Sequence, residues 1–377
     1  MRIVDLFSGA GGMTFGFYYS QKNGKFVKNK ECEIVFANEM DINAAHAFKL
    51  NFPDINMLNC DIKKLKEENI CKLIGKKEID LIIGGPPCQS FTTIGKRRYD
   101  DEARLYSEYK RMLKIIKPRM FIFENVKGIL SMKDGSHKSV LNRIIEKFGS
   151  IDENLGYKVS FETLDAVNFG IPQFRERVFI IGIRNDLNLS WSFPKGNNSR
   201  ISIKEAICDL PSIKQGKEIT CYNKEPSNEY QKLMRYSNET LTYHYAALHG
   251  DKINTVIKNI PQGKGRPFFN SLVDKGLVDK KYRLTSGYNN TYGRLVARIP
   301  CMTITHNMST PSSLRCIHYR QDRALTPREG ARIQSFPDNF KFYGSLSDAK
   351  SQIGNAVPPL LAIALCEQAE ITLSKRG

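Results

Sequence analysis

The stretch Arg2-Ile-Val-Asp-Leu-Phe-Ser-Gly-Ala-Gly-Gly12 decides the fold. A short apolar run passes directly into a glycine-rich turn, which reads as a buried strand followed by a tight turn and a helix start. The same grammar recurs outward from it. Glu33-Ile-Val-Phe-Ala37 leads to Glu39, and Ile79-Asp-Leu-Ile-Ile83 leads to Gly84-Gly-Pro-Pro-Cys-Gln-Ser-Phe91. Met120-Phe-Ile-Phe123 leads to Glu124-Asn125, and Val178-Phe-Ile-Ile-Gly182 closes the series. Short apolar strands separated by helical stretches predict an α/β fold with a doubly wound, mostly parallel sheet covered on both faces. Such sheets bind ligands beyond the carboxyl ends of their strands, where these polar and glycine-rich signatures lie.

Composition narrows the function. The chain has 377 residues, 57 Lys plus Arg against 39 Asp plus Glu, a formal charge of +18 and 41% apolar residues. That apolar content excludes a disordered chain, and the length suits two domains or one large domain with an insertion. Residues 191–340 carry 23 basic and 12 acidic side chains, against 30 and 24 in residues 1–190. The basic segment is rich in Asn, Ser, Thr, Tyr, Gly and Pro. It is expected to form a second, smaller domain and hinge, with 1–190 plus 341–377 as the catalytic part. Excess positive charge makes a polyanion the leading partner. No uncharged apolar run approaches the roughly 18 residues of a membrane span, and Met1 to Val4 carry no signal-peptide pattern, so a soluble cytoplasmic protein with no membrane partner is expected. Nine scattered cysteines without a C-x-x-C pair predict reduced thiols, no disulfide framework and no metal. Lys22 to Lys30 reads as a polar basic loop.

Several residues at the strand tips could carry chemistry. Asp5-Leu-Phe-Ser-Gly-Ala-Gly-Gly12 lacks both the Gly-Lys-Ser/Thr of a phosphate loop and G-x-G-x-x-G spacing. Its glycines still let the backbone approach a ligand. Glu39 has the position of an acid that holds ribose hydroxyls, or it is a solvated loop carboxylate; Asp61 is equally open. The two glycines and two prolines around Cys88 build a rigid loop that exposes a thiol, a strong nucleophile once ionised. Glu124 can face the same cleft, or cap a local turn. Arg175 and Arg177 alternate before a buried strand and are expected on one face, suited to phosphate or to a polar ring edge. Leu325 to Pro337 reads as a proline-started helix, and Gln352 to Pro359 as a Gly-Asn turn before a last apolar helix.

Taken in order, these blocks resemble the C5-cytosine DNA methyltransferases, and they run from residue 2 to about 366. They are Asp5 to Gly12, Asn38 to Asp41, the Pro-Pro-Cys-Gln loop, Glu124 to Val126, Gln173 to Arg177, Leu325 to Pro337, and Gly354 to Pro358. The poorly matching stretch between Trp191 and Tyr292 falls where that family places its target recognition domain. The resemblance implies a Rossmann-like methyltransferase core and transfer of a methyl group from S-adenosyl-L-methionine to carbon 5 of a cytosine flipped out of duplex DNA, leaving S-adenosyl-L-homocysteine. It implies that Cys88 attacks carbon 6, that Glu124 holds ring nitrogen 3 and the exocyclic amine, and that Arg177 with Arg175 binds the base carbonyl and nearby phosphates. For the cofactor it implies Asp5, Phe7, Gly9 and Gly11 around the methionine part, Glu39 on the ribose and Met40 on the adenine face. Asp61 and Ile62 would take the adenine edge, while Pro86, Leu105 and Asn355 complete the pocket.

One departure is Asp101-Glu-Ala-Arg-Leu-Tyr106, shorter by one residue than the family's loop and without its proline. A bacterial restriction-modification enzyme is expected: a monomer on double-stranded DNA, paired in function with a restriction endonuclease but without a stable complex. The alternatives are the tRNA-methylating branch of the fold and a catalytically silent DNA-binding module.

Overall fold

Along the central strands, alternate residues enter opposite cores. Ile3, Leu81, Ile83, Met120, Ile122, Phe179 and Ile181 join one apolar cluster, whereas Val4, Leu6, Ile82, Phe121, Phe123, Val178 and Ile180 join another. A period of two with both sets apolar requires a sheet covered on both faces. The computed structural model describes residues 1–86, 105–133, 137–197, 199–236, 240–285 and 288–374. Cys88 and the departing stretch from Asp101 to Arg104 lie outside the described residues.

Among the described residues the strands are β1 (Arg2–Leu6), β2 (Tyr19–Lys22), β3 (Lys25–Lys28), β4 (Glu33–Glu39), β5 (Asn56–Asn59), β6 (Leu81–Gly84), β7 (Met120–Val126), β8 (Tyr157–Asp165), β9 (Gln173–Phe174), β10 (Glu176–Arg184) and β11 (Cys301–Met302). The first helices are α1 (Gly12–Tyr18), α2 (Ile42–Asn51), α3 (Glu67–Ile74), α4 (Leu105–Ile116) and α5 (Val140–Gly149). There follow α6 (Ile203–Ile207), α7 (Glu229–Met234), α8 (Asp251–Lys258), α9 (Arg266–Asp274), α10 (Pro327–Ile333), α11 (Leu346–Asn355) and α12 (Pro359–Ser374). Seven strands form the main sheet in the order β5-β4-β1-β6-β7-β10-β8. The chain leaves β1 toward β4 and β5, then returns to lay β6 on the other side of β1, so the glycine turn and the Gly84-Gly85-Pro86 segment flank a topological switch point.

The α/β expectation holds, with three refinements. The apolar run at 178–182 is the antiparallel member of the sheet, paired with β7 on one side and with β8 on the other. Strand β8 has exposed positions along its middle and therefore no continuous apolar run to betray it. Lys22 to Lys30 is half of a hairpin: Asn23 and Gly24 both take positive φ, 50° and 69°, the geometry of a two-residue turn between β2 and β3.

Helix α1 lies against α12 at backbone contact. A Cβ on Gly16 would fall 2.2 Å from the carbonyl carbon of Ala362, and one on Gly12 would fall 2.6 Å from the Val357 oxygen. The segment Leu346–Ser374 is long and apolar enough to cross a membrane by composition, but 61% of its most apolar window is buried inside the protein. It is core. The same cluster continues through Ile203, Leu210, Met234, Leu325 and Phe336, so apolar packing does not stop at residue 190. A separate small core joins Val256, Ile257, Phe269, Val273, Leu284 and Ile317.

Gly16→Ala places a methyl group into backbone that cannot yield locally, and we expect it to cost at least about 1–3 kcal/mol. Urea unfolding checks this: the midpoint falls at an unchanged slope, whereas an unmoved midpoint contradicts the packing described.

Candidate active site

The glycine turn after β1 is built on left-handed backbone. Phe7, Gly9 and Gly11 have φ of 56°, 57° and 95°. The Gly9 amide donates to Glu39 Oε2 at 2.9 Å and the Asp41 amide to Glu39 Oε1 at 2.7 Å, so the turn and the tip of β4 are tied through one carboxylate. A Cβ on Gly9 would meet nothing within 4 Å, which leaves open space above the turn. Gly11 is different. Its Cβ would collide with Phe52 at 2.4 Å, so Gly11 serves close packing and the left-handed start of α1 and opens no ligand space.

Beside this turn, Met40 is 68% exposed, and Ile62 is buried in the second core. Asp61 accepts from the Lys63 amide at 3.0 Å and so starts a single 3-10 turn, Ile62–Lys64. That loop is positioned by Asn38, the first residue of the Asn38 to Asp41 block, to which the sequence assigned no role and whose Nδ2 donates to the carbonyls of Leu58 and Cys60. Phe7 and Leu105, both half-buried, pack on the same core edge. Asp5 does not face open space. It is 1% exposed, and its Oδ2 accepts from the Thr14 hydroxyl of α1. Burial pushes its carboxyl up to about 8, against the pull of the Thr14 hydrogen bond and with a smaller push from Glu39.

On the other side of the switch point, Glu124 Oε1 lies 3.0 Å from Arg177 Nε, with both side chains largely buried. The antiparallel register makes this pair. Arg177 stands opposite Val126 at the start of β10, level with the end of β7, so a residue at the amino end of its own strand reaches the carboxyl end of the parallel ones. Burial raises the Glu124 carboxyl above its ordinary value; Arg177, and more weakly Arg175, pull it down without cancelling the effect. Gly85 lies over this acid, since a Cβ there would fall 2.6 Å from Glu124 Oε2. Pro86 is buried next to it, and Cys88 follows two residues later, outside the described residues.

Arg175 departs from expectation. It is fully buried between β9 and β10, and Nη1 donates to the Ile304 carbonyl at 3.0 Å while Nη2 donates to those of Gly354 and Ala356, both at 2.9 Å. A guanidinium spent on three carbonyls is not available as half of a phosphate clamp. It positions instead. The two accepting carbonyls at 354 and 356 flank Asn355, which is exposed at the end of α11. Ala356 and Val357 in turn pack on Gly12, so Asn355 is held near the glycine turn. Gln173, also buried, adds to this joint by donating to the Ile333 carbonyl and accepting from the Ile304 amide.

A family model described as C-5 cytosine-specific DNA methylase matches residues 1–370 of this chain. The chain belongs to that family. It is a DNA cytosine-5 methyltransferase, and the family's methyl donor is S-adenosyl-L-methionine. The Type II methyltransferase M.DdeI of Desulfomicrobium norvegicum is 34% identical over 392 residues, covering 98% of this chain and 88% of its own. M.NgoPII of Neisseria gonorrhoeae is 34% identical over 387 residues, covering 100% and 97%. A crystal structure described as a prophage-encoded DNA modification methyltransferase from E. coli is 24% identical, with a TM-score of 0.75 over 100% of both chains, a likeness of fold.

Burial removes little of the positive excess of residues 191–340 from the surface, because Asp209, Glu329 and Asp338 are buried along with four arginines. Within 191–340, Arg294, Arg323, Arg328 and Arg332 are buried. Arg332 holds Asp209 at 2.7 Å and Asp338 at 2.6 Å, and Arg323 holds Glu329 at 2.6 Å, so these cations stabilise the interior and do not face DNA.

Asp5 also sets a pH dependence. Its folded pKa lies above the ordinary 3.8, so the folded state holds this proton more tightly than the unfolded chain. That contribution is whole below about pH 4 and is lost as pH rises toward 8, at up to about 1.4 kcal/mol per pH unit. Asp5→Asn should flatten the fall in stability between pH 4 and 8 in denaturant titrations; an unchanged slope contradicts the assignment.

Proposed function

We propose that this methyltransferase acts on a cytosine flipped out of duplex DNA, with Cys88 as nucleophile, Glu124 and Arg177 as the groups that hold the base, and the glycine turn as the cofactor floor. The observation that carries this reading is the Glu124–Arg177 pair beneath Gly85, next to the loop that leads to Cys88 and across the switch point from the open space at Gly9. The residues fit S-adenosyl-L-methionine. Gly9 leaves room for its methionine part, and Glu39, oriented by two amides, keeps lone pairs for ribose hydroxyls. Phe7 and exposed Met40 offer apolar surface, with Asp61, Ile62, Pro86, Leu105 and Asn355 around the rim.

When bound, the cofactor supplies an electrophilic sulfonium methyl group. Carbon 5 of cytosine is a weak nucleophile, so the protein must first break the ring's conjugation. The Cys88 thiolate adds to carbon 6, and the electron pair is drawn toward ring nitrogen 3. Glu124 meets it there. A carboxyl that keeps its proton to higher pH than usual can donate to nitrogen 3 as charge builds, and Arg177 holds that carboxyl in place. Carbon 5 becomes enamine-like and takes the methyl group. A base, water or hydroxide, then takes the carbon 5 proton, the thiolate leaves carbon 6, and nitrogen 3 returns its proton to Glu124, which restores the ring. Since the base must be approached from outside the stack, unstacking costs a few kcal/mol, which phosphate contacts offset.

Residues 191–340 supply target recognition and the hinge, supported by the separate small core around Phe269 and by the exposed Lys and Arg that remain after the buried four are set aside. Its relatives are named Type II methyltransferases, and the proposal extends to a protein that acts as a monomer, paired in function with a restriction endonuclease without a stable complex.

Cys88→Ser should abolish methyl transfer and leave DNA binding intact, and only the unsubstituted protein should form a stable adduct with duplex DNA containing 5-fluorocytosine, whose carbon 5 has no proton to lose. Turnover or adduct formation by the serine variant contradicts the nucleophile. Glu124→Gln should lower kcat by about 10²–10⁴-fold with cofactor affinity retained; an undiminished kcat in single-turnover assays removes Glu124 from the chemistry.

A further inference from the structure

At the amino end of β4, away from the candidate active site, two cysteines 334 positions apart come together. Cys32 directly precedes β4 in the turn that follows the β2–β3 hairpin. Cys366 and Glu370 are four residues apart on α12 and so share one face of that helix. Cys32 Sγ is 3.8 Å from Cys366 Sγ and 3.5 Å from Glu370 Oε1, and Cys366 Sγ is 3.7 Å from the same oxygen. Asn29 Nδ2 completes the group at 3.4 Å from Cys32 Sγ, 3.8 Å from Cys366 Sγ and 2.8 Å from Glu370 Oε1.

These lengths have a specific meaning in coordination chemistry. With Zn–S bonds of ~2.3 Å and Zn–O bonds of ~2.0 Å at tetrahedral angles, the ligand edges are ~3.8 Å for S to S and ~3.5 Å for S to O. The three donors already form one face of such a tetrahedron, and the Asn29 amide stands near its fourth vertex. Cys366 is 2% exposed while Cys32 and Glu370 are half-buried, which leaves one side for a metal to enter.

We propose that Cys32, Cys366 and Glu370 form a structural site for a thiophilic dication, zinc, with the Asn29 amide oxygen as fourth ligand. Two thiol protons pass to water, two S–Zn bonds and one carboxylate O–Zn bond form, and no atom changes oxidation state. Rotation of the Asn29 amide exchanges Nδ2 for Oδ1 at the vertex, at the cost of the bond that Oδ1 accepts from the Glu31 amide. The carboxylate argues against a disulfide as the purpose of the pair. A disulfide would join the two sulfurs and leave Glu370 Oε1 against both of them without a role, whereas a dication uses all three donors. Strand β4 extends seven residues from this end to Glu39, so the site lies roughly 20 Å from the candidate cofactor floor. It staples α12 to the hairpin and takes no part in methyl transfer.

The test uses the full chain, reduced and stripped with a chelator, and titrated with Co²⁺ and then Zn²⁺. One equivalent of Co²⁺ should give thiolate-to-metal charge transfer and the visible bands of a tetrahedral ion, both displaced by Zn²⁺, and Zn²⁺ should raise Tm. Cys32→Ser and Glu370→Gln should each weaken Co²⁺ affinity about tenfold or more and remove the Tm shift; the Glu370 variant keeps both thiols and the buried packing of Cys366. The proposal is overturned if the reduced protein binds no metal, if both variants bind as the parent does, or if the thiols are recovered only as a Cys32–Cys366 disulfide.

Discussion

The Arg175 guanidinium is the joint on which the site depends. Burying it costs several kcal/mol of desolvation, which is tolerable only where charge-assisted bonds of about 1.5–3 kcal/mol each replace the lost water. Three carbonyls, from Ile304, Gly354 and Ala356, do so. The joint therefore fixes where β10 starts, and with it the register that sets Arg177 against Glu124. It also fixes the turn bearing Asn355, which packs through Ala356 and Val357 on the glycine turn. One side chain thus links the base-holding half of the site to the cofactor half. Lysine could not replace it, because an ammonium lacks the fork that reaches three acceptors at once.

The sheet topology turns that joint into a site. In an all-parallel sheet the residues before β10 would lie at the far end from the strand tips. Running β10 antiparallel between β7 and β8 brings them to the same end as Glu39 and Glu124. The carboxyls gathered there have their pKa values raised by burial. The interior of 191–340 works by the opposite rule. Glu329 and Asp338 are equally buried, but Arg323 and Arg332 hold them in their ionised forms, with pKa values below the ordinary range. In the frame the arginines outweigh burial, whereas at Glu124 burial outweighs the pull of Arg177.

Much of this was legible because it is local. Strand runs, the glycine turn and the acids at the strand tips follow from periodicity over a few residues, and α10 is announced by Pro327 with the Thr326–Glu329 capping box. What stayed hidden depends on partners far along the chain. Arg175 and Arg177 look equivalent two positions apart, yet one is spent on carbonyls 129 to 181 residues away and the other on Glu124. Net charge could not reveal that Arg294, Arg323, Arg328 and Arg332 face inward. Gly11 resembled Gly9 until Phe52 was seen against it. No spacing rule could join Cys32 to Cys366. Asn23-Gly24 is a hairpin-turn dipeptide, but its mostly polar flanks show no strand alternation and so hide the hairpin.

The central claim is that this site methylates carbon 5 of cytosine in duplex DNA. Its most direct measurement is mass spectrometry of nucleosides from duplex DNA and from tRNA, each incubated with the protein and S-adenosyl-L-methionine carrying a heavy methyl group. The account predicts heavy 5-methylcytosine in the DNA digest and none in the tRNA digest. Heavy methyl on an exocyclic amine, or found only in tRNA, would contradict it.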